Sequence, residues 1–139
     1  MRTCSLILGC LVWSATASAQ PPPRTPPPLV IESMMGRDLF QFYCAACHGA
    51  DAKGHGPTAV ALNTPPADLT RIAVKSGGVF PRQQIIGFVT YGTPTVIVAH
   101  GTRDMPVWGP IFRGLGDSDT RSRVRVANLV QYLDSIQEK

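Results

Sequence analysis

Cys44-Ala45-Ala46-Cys47-His48 places two thiols three positions apart, with an imidazole directly after the second. Such a pair can form a disulfide, serve as a redox dithiol, contribute half of a zinc site, or attach a haem covalently. A thioredoxin-type dithiol follows a strand and opens a helix; the pattern here predicts a helix before the motif and a glycine-rich loop after it. A tetrahedral zinc site needs further cysteines or histidines, and beyond the motif the chain offers Cys4 and Cys10 near its start, with His55 and His100 further on. The histidine that follows Cys47 gives the pattern of c-type haem attachment. At the end of a helix, cysteines three apart share one side, so both thiols can add to the two vinyl groups of one haem while His48 presents its imidazole to the iron.

The elements that must position this motif follow from periodicity. Met35, Leu39, Phe40 and Tyr43 form a helical stripe that also contains Gly36, which predicts a helix over 33–43 with Ser33 as its N-cap. A glycine inside a helix costs about 1 kcal/mol relative to alanine, so Gly36 implies close approach of another backbone. A second helix is expected over 81–91, with Pro81 in its first turn, Ile85, Ile86 and Val89 facing inward, and Gly92 ending it. A third is expected over 119–136, because Val126, Leu129, Val130 and Leu133 recur at i, i+3, i+4 and i+7. On that helix Arg121 and Arg125 are expected to share the outer face, with Arg123 near the edge of the apolar stripe.

Between these helices the chain is rich in Gly and Pro, at 49–57, 64–66, 77–78, 92–94 and 101–110. So much irregular chain in a small domain needs something to pack against, and a large apolar cofactor would supply it.

Arg2, the apolar run Leu6 to Trp13 and the small residues Ala17-Ser18-Ala19 read as a signal peptide over 1–19, cleaved near Ala19/Gln20. The run is far short of the roughly 20 apolar residues that span a bilayer, so no transmembrane anchor is expected in the mature chain. A rival reading is lipidation at Cys10, since Ile7-Leu8-Gly9-Cys10 loosely resembles a lipoprotein processing site. Residues 20–31 form a proline-rich segment, with six prolines between Gln20 and Pro28, and 32–139 form one domain. A net charge of +4 for the whole chain, one less without Arg2, suits docking to acidic protein surfaces and is far too weak to argue for nucleic acid.

Taken together, residues 33 to 137 resemble the class I c-type cytochromes. Gly36 and Phe40 precede Cys44 as that family's first-helix glycine and aromatic do. The resemblance implies an all-α cytochrome c fold, with three or more helices and long loops wrapped around one haem c. It also implies terminal helices that cross at the glycine, with Tyr132 as the aromatic at the contact. Asp104-Met105-Pro106-Val107-Trp108-Gly109 resembles the loop that carries the family's second axial ligand, which makes His48 and Met105 the candidate pair on the iron. A thioether there favours the reduced state and raises the potential; His55 and His100 are the competing ligands and would lower it. The stretch from Gly49 to Pro57 resembles the family's loop ending in a proline, whose carbonyl accepts the proton on the other nitrogen of the axial histidine. That role falls to Pro57. Tyr91, Arg103 and Trp108 are the candidates for haem propionate or ring contacts.

An iron held from both sides has no open position for substrate, and the sequence contains one attachment motif. The expected function is therefore single-electron transfer in the periplasm rather than enzymatic turnover. The chain would act as a diffusing shuttle or as the cytochrome subunit of a dehydrogenase or oxidase. Its partners would be redox proteins: a dehydrogenase, an oxidase or a membrane electron-transfer complex. The alternative is a haem-based gas-binding sensor in which Met105 is labile. A peroxidase-like enzyme is less well supported, since no second haem motif and no obvious distal acid–base pair are present.

Overall fold

The computed structural model describes residues 30–92, 105–115 and 118–138. The segment read as a signal peptide, Cys10, most of the proline-rich stretch, His100 and Arg103 lie outside them. Helix α1 (Gly36–Tyr43) is followed after Cys44 by the single turn α2 (Ala45–His48), then by two 3₁₀ turns (Ala59–Ala61 and Leu69–Arg71). Next come α3 (Ile72–Lys75), α4 (Arg82–Tyr91), α5 (Trp108–Gly114) and α6 (Asp119–Ser135). The described residues contain no strand, so the architecture is all-α as expected. No helix among them is long and apolar enough to cross a membrane.

α1 and α6 pack against each other, α4 lies against α6, and α5 closes on both α4 and α6. Gly36 permits the first of these contacts: a Cβ there would fall 2.0 Å from the Asn128 carbonyl oxygen and 2.8 Å from the Tyr132 Cβ. Phe40 sits one turn further along α1, with its ring centroid 5.5 Å from that of Tyr132. Gly109 does the same at the next crossing, where its Cβ would lie 2.5 Å from the Thr90 carbonyl oxygen. The core consists of Leu39 and Phe40 from α1, Val89 from α4, Phe112 from α5, and Val126, Leu129, Val130 and Leu133 from α6.

The helix ends follow the capping chemistry of their residues. Ser118 precedes α6 in extended backbone and its hydroxyl accepts from the Arg121 amide at 3.2 Å, satisfying one of the free N–H groups of the first turn. Ser33 acts slightly outside the helix it was expected to cap. Its hydroxyl accepts from the Met35 amide and donates to Asp38, and α1 begins at Gly36. Gly92 ends α4 at φ 80°, a left-handed conformation that suits glycine.

Four expectations are corrected. Met35 belongs to no buried stripe, being 66% exposed just before α1. Arg125 does not share an outer face with Arg121; it is 1% exposed and its guanidinium donates to the carbonyls of Ile31 and Ser33. Arg123, expected near the stripe, is exposed and pairs with Asp119 one turn back. The stretch 101–110, read as irregular, contains the start of α5. Its Pro110 falls in the first turn of that helix, where no intrahelical donor is needed.

Candidate functional site

Cys44 ends α1 and caps α2; the amides of Cys47 and His48 both return to its carbonyl, at 3.1 and 2.9 Å. This single turn directs Cys44, Cys47 and His48 into one cavity of about 290 Å³. Phe40 and Tyr43 of α1, Ile85, Phe88 and Val89 of α4, and Leu129 and Leu133 of α6 supply much of its wall. Met105 and Pro106 enter it from the segment ahead of α5, and Trp108 from the first turn of that helix. Trp108 is held by its neighbours, stacking on Phe112 at 5.5 Å and meeting Tyr43 at 5.3 Å.

The two thiols are free and differ in their surroundings. Burial pushes the Cys44 thiol up to about 12, and the neighbouring Cys47 adds to the shift. The neutral thiol is thus the resting form at Cys44. Cys47 Sγ lies 3.2 Å from the Thr58 hydroxyl, which donates its own proton to the Ala46 carbonyl at 2.7 Å. With that proton committed, the Thr58 oxygen is left to accept from the Cys47 thiol.

His48 is 8% exposed. Burial holds its pKa below the ordinary histidine value, opposed in part by its hydrogen bond to the Ala67 carbonyl. Nδ1 donates to that carbonyl at 3.0 Å. The ring is therefore neutral, with its proton on Nδ1 and the Nε2 lone pair available to a metal.

Ala67, rather than Pro57, receives this proton. Gly56 packs so tightly on the back of α2 that a Cβ would lie 2.3 Å from the Ala46 carbonyl oxygen, while the amides of Gly56 and Thr58 bond to Cys47 and Ala46. Pro57, fixed between those anchors, is exposed. The chain returns to the cavity from Leu62 onwards and lines it with Pro65-Pro66-Ala67. Gly54, at φ 90°, lets the earlier loop lie against Pro66, whose carbonyl oxygen would be 2.3 Å from a Cβ there. A proline pair beside the cavity was the available sequence signal for this second approach.

Tyr91 does not reach the cavity. It is 73% exposed and absent from the cavity wall, because it stands two residues, or about 200°, from Val89 on α4. His55 is exposed and likewise off the wall. The structure thus gathers Cys44, Cys47, His48, Met105 and Trp108, while Pro57 and Tyr91 stay outside.

Two thiols, an imidazole with a free nitrogen and a thioether converge on one apolar cavity, and this donor set fits a haem. A family model described as cytochrome c oxidase, cbb3-type, subunit III matches residues 33–133. Comparison with curated proteins and with solved structures gave no match. Domains of this family carry covalently bound haem c and transfer electrons rather than turn over a substrate. With nearly three quarters of its length matched and its thiols, imidazole and apolar cavity arranged accordingly, the chain belongs to this family, as an all-α, class I c-type cytochrome with one haem c.

Proposed function

We propose that the chain carries single electrons outside the cytoplasm, with haem c joined to Cys44 and Cys47 by thioether bonds and held axially by His48 and Met105. The observation that carries this reading is that all four side chains line the same apolar cavity. The bound group supplies a reversible one-electron couple at its iron. His48 offers Nε2 while its Nδ1 proton goes to Ala67, which fixes the ring and raises the basicity of the donating nitrogen. Met105 supplies a thioether, which favours the reduced iron and raises the potential. Phe40, Val89, Leu129 and Leu133 give the cavity an apolar wall, which lowers the dielectric around the site. With both axial positions filled, nothing is left open for a substrate.

The family description supports an oxidase setting, in which the chain passes electrons to or within a terminal oxidase and docks with redox proteins. Residues 1–19 serve as an export signal in this reading, 20–31 as a proline-rich lead-in, and 32–139 as the cytochrome domain in the periplasm. A redox titration of the purified holoprotein, with carbon monoxide added to the reduced form at neutral pH, tests the proposal. One single-electron wave and no rapid carbon monoxide binding are expected. Rapid binding would overturn the closed-coordination reading in favour of a gas-binding protein with a labile Met105.

A further inference from the structure

We infer that Gln137, just beyond α6, is a positioning residue that holds the Ala67 carbonyl against His48 and so contributes to the reduction potential. The inference rests on His48 being an axial donor.

The side-chain amide of Gln137 is fully used. Its Oε1 accepts from the Ala73 amide at 2.8 Å, and its Nε2 donates to the carbonyls of Leu69 at 2.8 Å and Leu133 at 2.7 Å. The next residue adds a backbone bond, from the Glu138 amide to the Thr70 carbonyl at 2.8 Å. The end of α6 is thereby tied to a stretch that begins at Ala67 and passes through a 3₁₀ turn into α3. Capping the turn needs only Thr70 and Asp68; Gln137 instead joins Leu69, two residues after Ala67, and Ala73 of α3 to the terminal helix.

This stretch lines the cavity with Ala67, Leu69 and Ile72, and the Ala67 carbonyl lies 3.0 Å from His48 Nδ1. Its upstream side is fixed where Gly54 packs on Pro66. Downstream, the Leu69 amide bonds to the Ala52 carbonyl at 2.8 Å, and the Leu69 carbonyl is held by Gln137. Without the Gln137 contacts, the downstream side keeps the Leu69–Ala52 and Glu138–Thr70 backbone bonds but loses the ties from the Leu69 carbonyl and the Ala73 amide to the end of α6, so the carbonyl is held less firmly. A longer Nδ1–H···O bond makes the imidazole a weaker base, which disfavours the oxidised iron and raises the potential.

Gln137→Met keeps the length of the side chain and removes all three polar contacts. In the haem-loaded protein the expected results are an upward shift of the midpoint potential and roughly tenfold faster solvent exchange of the His48 Nδ1 proton, read by NMR. Arg82→Ala, which removes the Arg82–Asp134 pair near the same end of α6, is expected to change neither. Unchanged potential and exchange in Gln137→Met, with only stability reduced, would overturn the inference. An equal shift in Arg82→Ala would also overturn it, since any loosening of the helix end would then suffice. If Gln137→Met does not load haem, Gln137→Glu, which retains the acceptor but turns a carboxylate towards two carbonyls, is read by the same two measurements. Axial ligation by His48 is read separately, from hyperfine-shifted ring resonances of the oxidised wild type. Their absence would remove the axial reading; their presence with no response to Gln137 would remove the positioning role alone.

Discussion

Gly36 and Asn128 meet backbone to backbone, so closely that a Cβ on the glycine would stand 2.0 Å from the Asn128 carbonyl oxygen. The Asn128 side chain strengthens the contact by donating to the Met34 carbonyl at 2.7 Å. This crossing joins the two ends of the domain and sets Phe40 and Leu129 as parts of one cavity wall. Gly36→Ala gains about 1 kcal/mol of helix propensity, but forces the helices apart at a cost of typically 1–3 kcal/mol or more. A net loss of stability in chemical denaturation is expected, together with a disturbed haem environment. Equal or greater stability would mean that the helices can separate without penalty.

Arg125 holds the segment ahead of α1 onto α6 from a buried position, with both terminal nitrogens on the Ile31 carbonyl at 3.1 Å. Arg125→Leu should cost about 2–3 kcal/mol, because charge-assisted hydrogen bonds are lost and partly buried carbonyls lose their donors. Arg125→Lys should recover only part of this, since a single ammonium cannot reproduce the fork. Full recovery with lysine, in denaturant unfolding, would contradict the bidentate role.

The mistaken and correct expectations have physical causes. α1, α4 and α6 were legible because their buried residues recur at helical spacing, and Gly36 stood out as a glycine inside such a pattern. Arg125 was hidden by its charge, although it lies four residues before Leu129 and three after the buried Ser122, on the inward side. α5 was obscured by Gly109 and Pro110, one needed for its crossing with Thr90 and the other harmless in a first turn. The thiols and His48 are adjacent in sequence, so their convergence could be read directly. The approach of Ala67 to His48 depends on how Gly54 and Gly56 fold the intervening loop, and no local spacing encodes it.

Asp68 links stability to pH. Its carboxylate accepts from the Thr70 hydroxyl and then from the Thr70 amide, at 2.6 and 2.9 Å, which holds its pKa below the ordinary 3.8. A folded-state pKa below the unfolded one stabilises the fold above the unfolded value, and that contribution is lost as the pH falls through the folded value. Asp68→Asn keeps an acceptor but does not titrate. The advantage of the wild type over this variant should therefore fade as the pH falls through and below the ordinary carboxylate value of 3.8, as read from unfolding midpoints. A difference that is constant or grows in acid would contradict the assignment.

Met105 closes the coordination in the proposed function. Met105→His should keep a six-coordinate haem while lowering the potential, because a second imidazole replaces the thioether. Met105→Ala should open the iron to added ligands, seen as new carbon monoxide and cyanide complexes in the absorption spectrum. Spectra and potentials unchanged in both variants would show that Met105 is not on the iron.

The most direct test is proton NMR of the reduced wild-type holoprotein, where a methionine methyl bound over the haem is driven far upfield by the ring current. One such methyl is expected, and it should vanish in Met105→His with the haem still attached. No upfield methyl in the wild type, or one that persists in the variant and belongs to Met34 or Met35, would contradict axial coordination by Met105.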